Sequence, residues 1–211
     1  MKYWIKTPSF VPYIFSKLVW RFSPAKPNIY LTFDDGPSSL VTEHILSILE
    51  EERIKATFFC VGKNIIKNPD LYKKILANGH SVGNHSMTHL NGWKINNSIY
   101  QNDIRQATEL INSNLFRPPF GKFNIKSLKI LKKKFQIIMW DVVSGDFDLK
   151  LTSNEVIANV VNNVRNGSII MMHDNDKFKD LTLSSLLPII KALKEKGFCF
   201  KPIPFIPLVK I

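Results

Sequence analysis

The sequence is poor in the features of a disulfide-stapled or membrane-spanning protein. Only two of its 211 residues are cysteine, Cys60 and Cys199, which is too few for a disulfide framework. Cys60 falls inside the apolar run Ala56-Thr-Phe-Phe-Cys-Val61 and reads as a small buried hydrophobe. No apolar stretch approaches the length of a spanning helix. Residues 1–8 begin with basic character but have no sustained apolar segment and no small-residue cleavage site. No signal peptide is read there, and the expected location is cytoplasmic or peripheral at a membrane. Acidic residues are also scarce, 17 against 29 basic, for a formal charge of +12. That excess suits anionic partners, yet no Arg/Lys strip is interleaved with aromatics, so nucleic acid is not expected among them. The basic runs at 129–134 and 191–196 lie within amphipathic helix patterns. Residues 11–22, aromatic and basic, allow weak association with a membrane surface, while packing on the domain's own surface is the simpler expectation. Nothing in the sequence speaks to oligomeric state.

With 45% hydrophobic and 22% charged residues, the chain can bury a sizeable core. One domain is expected over residues 1–211, with a catalytic core of about 28–202 and residues 1–27 packed on it. Strands are expected at 28–33, 56–61, 81–84, 136–141, 168–172 and 198–200. Helices are expected at 41–53, from 69 to Gly79, at 98–112, at 125–135, from Thr152 to 165, and at 183–196. Asn68 is the expected N-cap of the second helix, and Thr152 with Glu155 forms a capping box. Pro188 is expected to start or kink the last helix. Strand and helix alternate, which predicts a mostly parallel sheet or barrel covered by helices.

Residues with chemical potential repeatedly follow a strand, where sites assemble in such folds. Thr32-Phe-Asp-Asp-Gly-Pro37 carries adjacent carboxylates into a turn. On a strand, Asp34 and Asp35 would face opposite sides, so the turn must redirect one. His85 and His89 in His85-Ser-Met-Thr-His89 share a face if they lie on a helical turn, a spacing that suits two ligands of one metal ion. One carboxylate can complete a His₂Asp set while the other serves as base. In Arg117-Pro-Pro-Phe-Gly121 the prolines restrict an arginine able to clamp a carboxylate through two hydrogen bonds. His173, in Met171-Met-His-Asp174, ends an apolar run and is expected at the strand's carboxyl end. His44 and His80 are not expected at the site. Asp174, Asp176 and Asp180 read as a solvated loop.

In this order the motifs resemble the nodulation-type polysaccharide deacetylase family, carbohydrate esterase family four. The likeness runs from about Ile29 to Phe200 and includes Ala56-Thr-Phe-Phe59 and Gly83-Asn84 ahead of His85. It implies a distorted (β/α) barrel and hydrolysis of an N-acetyl amide, or sometimes an O-acetyl ester, on a carbohydrate. It further implies that Asp35, His85 and His89 hold a divalent metal. Zinc is the usual ion, and cobalt, nickel or manganese suit similar ligands. Asp34 would be the base for the attacking water and His173 the acid for the departing amine. Arg117 would orient Asp34, and Asp146 would tune His173. The Phe120 N–H would face the oxyanion, with Pro119, Phe147 and Met171 lining the substrate. Ser86 and Thr88 would support the histidine turn.

The departures from the family pattern cluster at the fourth motif, where Val143-Ser-Gly-Asp-Phe147 stands for Asp-x-x-Asp-Trp. Asp141 and Asp148 are alternative alignments to Asp146 there. Met171 replaces a usual leucine. Two other readings keep the fold: an amidase or esterase for another acylated substrate, and a catalytically inactive glycan-binding module.

Overall fold

The computed structural model describes residues 3–208; Met1 and Lys2 of the expected extension, and residues 209–211, lie outside the described residues. Among the described residues the strands are β1 (Asn28–Asp34), β2 (Thr57–Cys60), β3 (Ser81–Asn84), β4 (Leu115–Phe116), β5 (Gln136–Ile137), β6 (Val142–Val143), β7 (Ile169–His173) and β8 (Cys199–Phe200). The helices are α1 (Phe10–Ile14), α2 (Thr42–Glu51), α3 (Gly62–Lys67), α4 (Pro69–Ala77), α5 (Asn97–Thr108), α6 (Ile125–Leu131), α7 (Ser153–Val161) and α8 (Lys179–Glu195).

Every pairing between these strands is parallel. The order across the sheet is β5-β4-β3-β2-β1-β7-β6, and β8 pairs with the start of β1. The central strands are covered on both faces, which is why β2 and most of β1 are buried whatever the alternation. The two edges of the order, β5 and β6, are separated by residues 138–141 alone. Five steps of chain reach about 18 Å at most, so the edges must approach each other and the sheet must curl. The result is a distorted (β/α) barrel.

The N-terminal segment lies along this seam. Val19 bridges to Ile138, Lys6 to Val142 and Arg21 to Ser168, so backbone groups on both edges find partners. Leu18 and Trp20 are buried with Tyr100, Phe116 and Phe135 in a core cluster of their own. The larger cluster fills the space between β1, β2, β7 and helices α2, α7 and α8.

Several elements differ from the sequence reading. The expected strand 136–141 stops at Ile137, because residues 138–141 cross the seam, and β6 forms beyond it at Val142–Val143. The six-residue α3 is too short to show a helical period. Asn68 makes no side-chain cap to α4; its Nδ2 donates to the carbonyls of Pro37 at 3.1 Å and Asn64 at 3.3 Å. α7 stops at Val161, and α8 begins at Lys179 with Pro188 in its interior. The Thr152–Glu155 capping box is present. No helix among the described residues is long and apolar enough to cross a membrane.

Candidate active site

The chemical residues gather where strands end. β1 closes on Asp34, and β7 closes on His173 in register with it. β3 and β4 pair at Asn84 and Phe116, the residues immediately before His85 and Arg117.

Asp35 has φ 80°, a left-handed conformation that breaks strand alternation and separates its carboxylate from that of Asp34. Asparagines hold it on both sides. Asn64 Nδ2 donates to its carbonyl at 2.6 Å, and Asn175 Nδ2 donates to Oδ2 at 2.9 Å. The next residue must be glycine, since a Cβ on Gly36 would come 2.0 Å from Asp174 Oδ2.

His85 and His89 do not sit on a helical turn. Positive φ angles at Ser86 (65°) and His89 (58°) fold the loop back instead. Asp103, on the buried face of α5, secures it by accepting from the N–H groups of Met87 and Thr88 and from the Thr88 hydroxyl at 3.0, 3.1 and 2.7 Å. His85 Nδ1 lies 2.8 Å from the Arg117 carbonyl. A carbonyl only accepts, so Nδ1 carries the proton and Nε2 offers its lone pair. That Nε2 is 3.6 Å from Asp35 Oδ1, and His89 Nε2 is 3.2 Å from the same oxygen.

These residues fit a divalent cation. One ligand atom from each of Asp35, His85 and His89 lies within 4.8 Å of the others. Asp35 Oδ1 is buried with no hydrogen-bond partner, a costly state unless a cation satisfies it. Burial pushes the His85 pKa down to about 4, which keeps its imidazole neutral and able to ligate. Burial pushes the Asp35 carboxyl up, but His89 and His173 outweigh it and hold it below the usual carboxylate range.

Arg117 is fully buried. Its Nη1 meets Asp34 Oδ1 at 2.6 Å and the Thr32 hydroxyl at 2.8 Å. The other nitrogens donate to the carbonyls of Ile138 at 3.3 Å and Met139 at 2.9 Å, and the guanidinium lies 4.1 Å over the Phe59 ring. The carboxylate is therefore held through one nitrogen rather than two, because the backbone occupies the rest of the fork.

Of the three acids near the fourth motif, Asp146 is the one against His173. Its Oδ1 is 2.8 Å from Nδ1, and Oδ2 accepts from the His173 N–H at 2.7 Å and from the Thr182 hydroxyl at 2.9 Å. Asp141 pairs with Arg165, and Asp148 meets Tyr3. Burial depresses the His173 pKa, but Asp146, Asp35 and Asp34 more than reverse this and raise it to about 9.

Phe147 is half-buried with its ring 5.2 Å from that of His173. The Phe120 ring is 4.5 Å from His89, in a residue with φ 59°. Pro119 and Met171 are buried.

Asp174 is not in a solvated loop. It is fully buried and accepts from the Ser38 hydroxyl at 2.9 Å and the Thr42 hydroxyl at 2.6 Å, which ties the Asp34–Thr42 turn to the end of β7. Asp176 is half-buried and accepts from the Leu40 N–H at 3.0 Å, while Asp180 is exposed at the start of α8. The sequence reading also missed Asn64, Asp103 and Asn175. Asp103 alone left a signal, an acid among the apolar positions Tyr100, Ile104 and Ala107 of its helix.

Comparison with known proteins places this arrangement among relatives. The polysaccharide deacetylase family model matches residues 23–135. A peptidoglycan-N-acetylglucosamine deacetylase of Bacillus cereus is 32% identical over 190 residues, covering 87% of this chain and 89% of that protein. A chitooligosaccharide deacetylase of Rhizobium leguminosarum is 32% identical over 195 residues, 84% of this chain and 90% of its own. Among solved structures, a peptidoglycan N-acetylglucosamine deacetylase in complex with 4-naphthalen-1-yl-N-oxidanyl-benzamide superposes with a TM-score of 0.87 at 31% identity, over 94% of this chain and 95% of that one. By sequence match and by fold together, the chain belongs to the polysaccharide deacetylase family.

Proposed function

We propose that this protein is a zinc-dependent hydrolase that releases acetate from N-acetylhexosamine units of an oligo- or polysaccharide. The observation that carries the reading is the buried, unpartnered Asp35 Oδ1 between two imidazoles, with a second carboxylate and a third imidazole on the adjoining strand ends. Family membership supports it. The net charge of +12 supports an anionic polymer such as cell-wall glycan over a neutral one.

Asp35, His85 and His89 would hold a divalent cation, whose positive charge would polarise an acetyl carbonyl and acidify a water. Asp34, oriented by Arg117, accepts the proton of the attacking water. The Phe120 N–H offers a hydrogen bond to the oxygen on which charge develops. His173 gives its proton to the sugar nitrogen as the C–N bond breaks, so acetate and a free amine leave. Asp146 keeps that imidazole charged and directed. Phe147, beside His173, supplies an apolar wall for the acetyl methyl.

The test is acetate release from N-acetylglucosamine oligomers beside a panel of other acyl amides and esters. Preference for the N-acetyl sugars is expected. Turnover of the other acyl compounds alone would assign the site to a different acylated substrate. Glycan binding with no turnover of any compound would make it a binding module.

A further inference from the structure

Trp93 is 68% exposed, yet its position is fixed. Its indole N–H donates to the Phe123 carbonyl at 3.0 Å, and its backbone N–H donates to Asn91 Oδ1 at 3.0 Å. Lys122 Nζ stands 5.2 Å over one face of the ring. Beside it, a Cβ on Gly92 would come 2.7 Å from the Lys122 carbonyl and 3.0 Å from the Tyr100 ring. Only glycine lets the loop after His89 close this tightly onto the loop after Arg117.

Both loops belong to the site. Trp93 is four residues beyond His89, so its Cα lies within about 14 Å of that of the histidine. Phe123, which holds the indole, is three residues beyond Phe120, whose own ring is 57% exposed and adjacent to His89. An ordered indole left in water gains little from burial within its own chain, and large rigid aromatics of this kind dominate recognition surfaces.

We propose that Trp93 is a sugar-binding platform, its open face stacking on the C–H face of a hexosamine ring that neighbours the one being deacetylated. A pyranose has an apolar C–H face rimmed by hydroxyls. A flat indole whose N–H is already satisfied covers that face without leaving a buried donor unpaired. The clamp between the two loops keeps the platform at a set position relative to His89. This inference rests on the deacetylase reading and adds where the rest of the glycan lies.

The experiment is steady-state acetate release from N-acetylglucosamine oligomers of increasing length by the wild type, Trp93→Ala and Trp93→Phe, with thermal unfolding of each. Trp93→Ala is expected to raise KM by about tenfold or more on the longer oligomers, with kcat and the melting temperature unchanged. Trp93→Phe, which keeps an apolar face but lacks the N–H that anchors the indole, is expected to recover part of the loss. Equal KM values for wild type and Trp93→Ala at every length overturn the platform while leaving the deacetylase reading intact. A fall in kcat without a rise in KM also overturns it, since the loop would then serve the reacting groups. No acetate from the wild type on any oligomer overturns both.

Discussion

Asp146 grips His173 at two points, with Oδ1 2.8 Å from the ring Nδ1 and Oδ2 2.7 Å from the backbone N–H. A carboxylate so placed favours the imidazolium, and together with Asp35 and Asp34 it overcomes the effect of burial to set the His173 pKa at about 9. The charged form is the one that can protonate a departing amine.

Replacing Asp146 with asparagine preserves shape and removes the charge. The His173 pKa then falls, because the raising influence is lost and the depressing effect of burial stays. The high-pH limb of the kcat/KM profile should move to lower pH by about one to three units. A profile with an unshifted limb would separate His173 from that ionisation.

Arg117→Met tests the buried pair at the base of the site. The substitution leaves the buried Asp34 without its guanidinium, a change expected to cost about 3–5 kcal/mol in stability. Activity should fall by about a hundredfold or more as Asp34 loses its fixed orientation. Arg117→Lys should recover little of this, since one ammonium cannot reach Thr32, Asp34, Ile138 and Met139 together. Chemical denaturation and steady-state rates measured on the same preparations check both effects.

Asp174 gives the metal-free protein a distinct pH signature. Burial raises its pKa to about 7, against the hydroxyls of Thr42 and Ser38, with Asp35 and Asp176 adding to the rise. Between about pH 4 and 7 the folded chain therefore holds a proton that the unfolded chain gives up, and stability falls as pH rises through that window. Asp174→Asn should flatten this decline by an amount on the order of a few kcal/mol. Denaturant midpoints at several pH values show whether it does.

Much of the architecture was legible because the long central elements advertise themselves. The apolar runs at β1, β2 and β7 have no helical period, and turn residues follow them. The short pieces were hidden, since α3, the early end of β5 and the separate β6 depend on how the sheet closes rather than on local pattern. Within the site, spacing paired His85 with His89 and the family resemblance implied Asp35 beside them, but the means of bringing them together could not be read. The histidines converge through left-handed residues and the Asp103 clamp, where a helical turn was expected. Asp174 looked like part of a polar loop because its burial comes from packing against Gly36 and Thr42, which are more than 130 residues away in sequence. Arg117 likewise gave no sign that four backbone and side-chain acceptors would surround it.

The central claim is tested most directly by following acetate release from N-acetylglucosamine oligomers with the purified protein, then after chelation, then after zinc is returned. Release is expected to stop on chelation and resume with zinc, while Asp35→Ala releases nothing under any condition. Full activity in the chelated protein, or in Asp35→Ala, would contradict it.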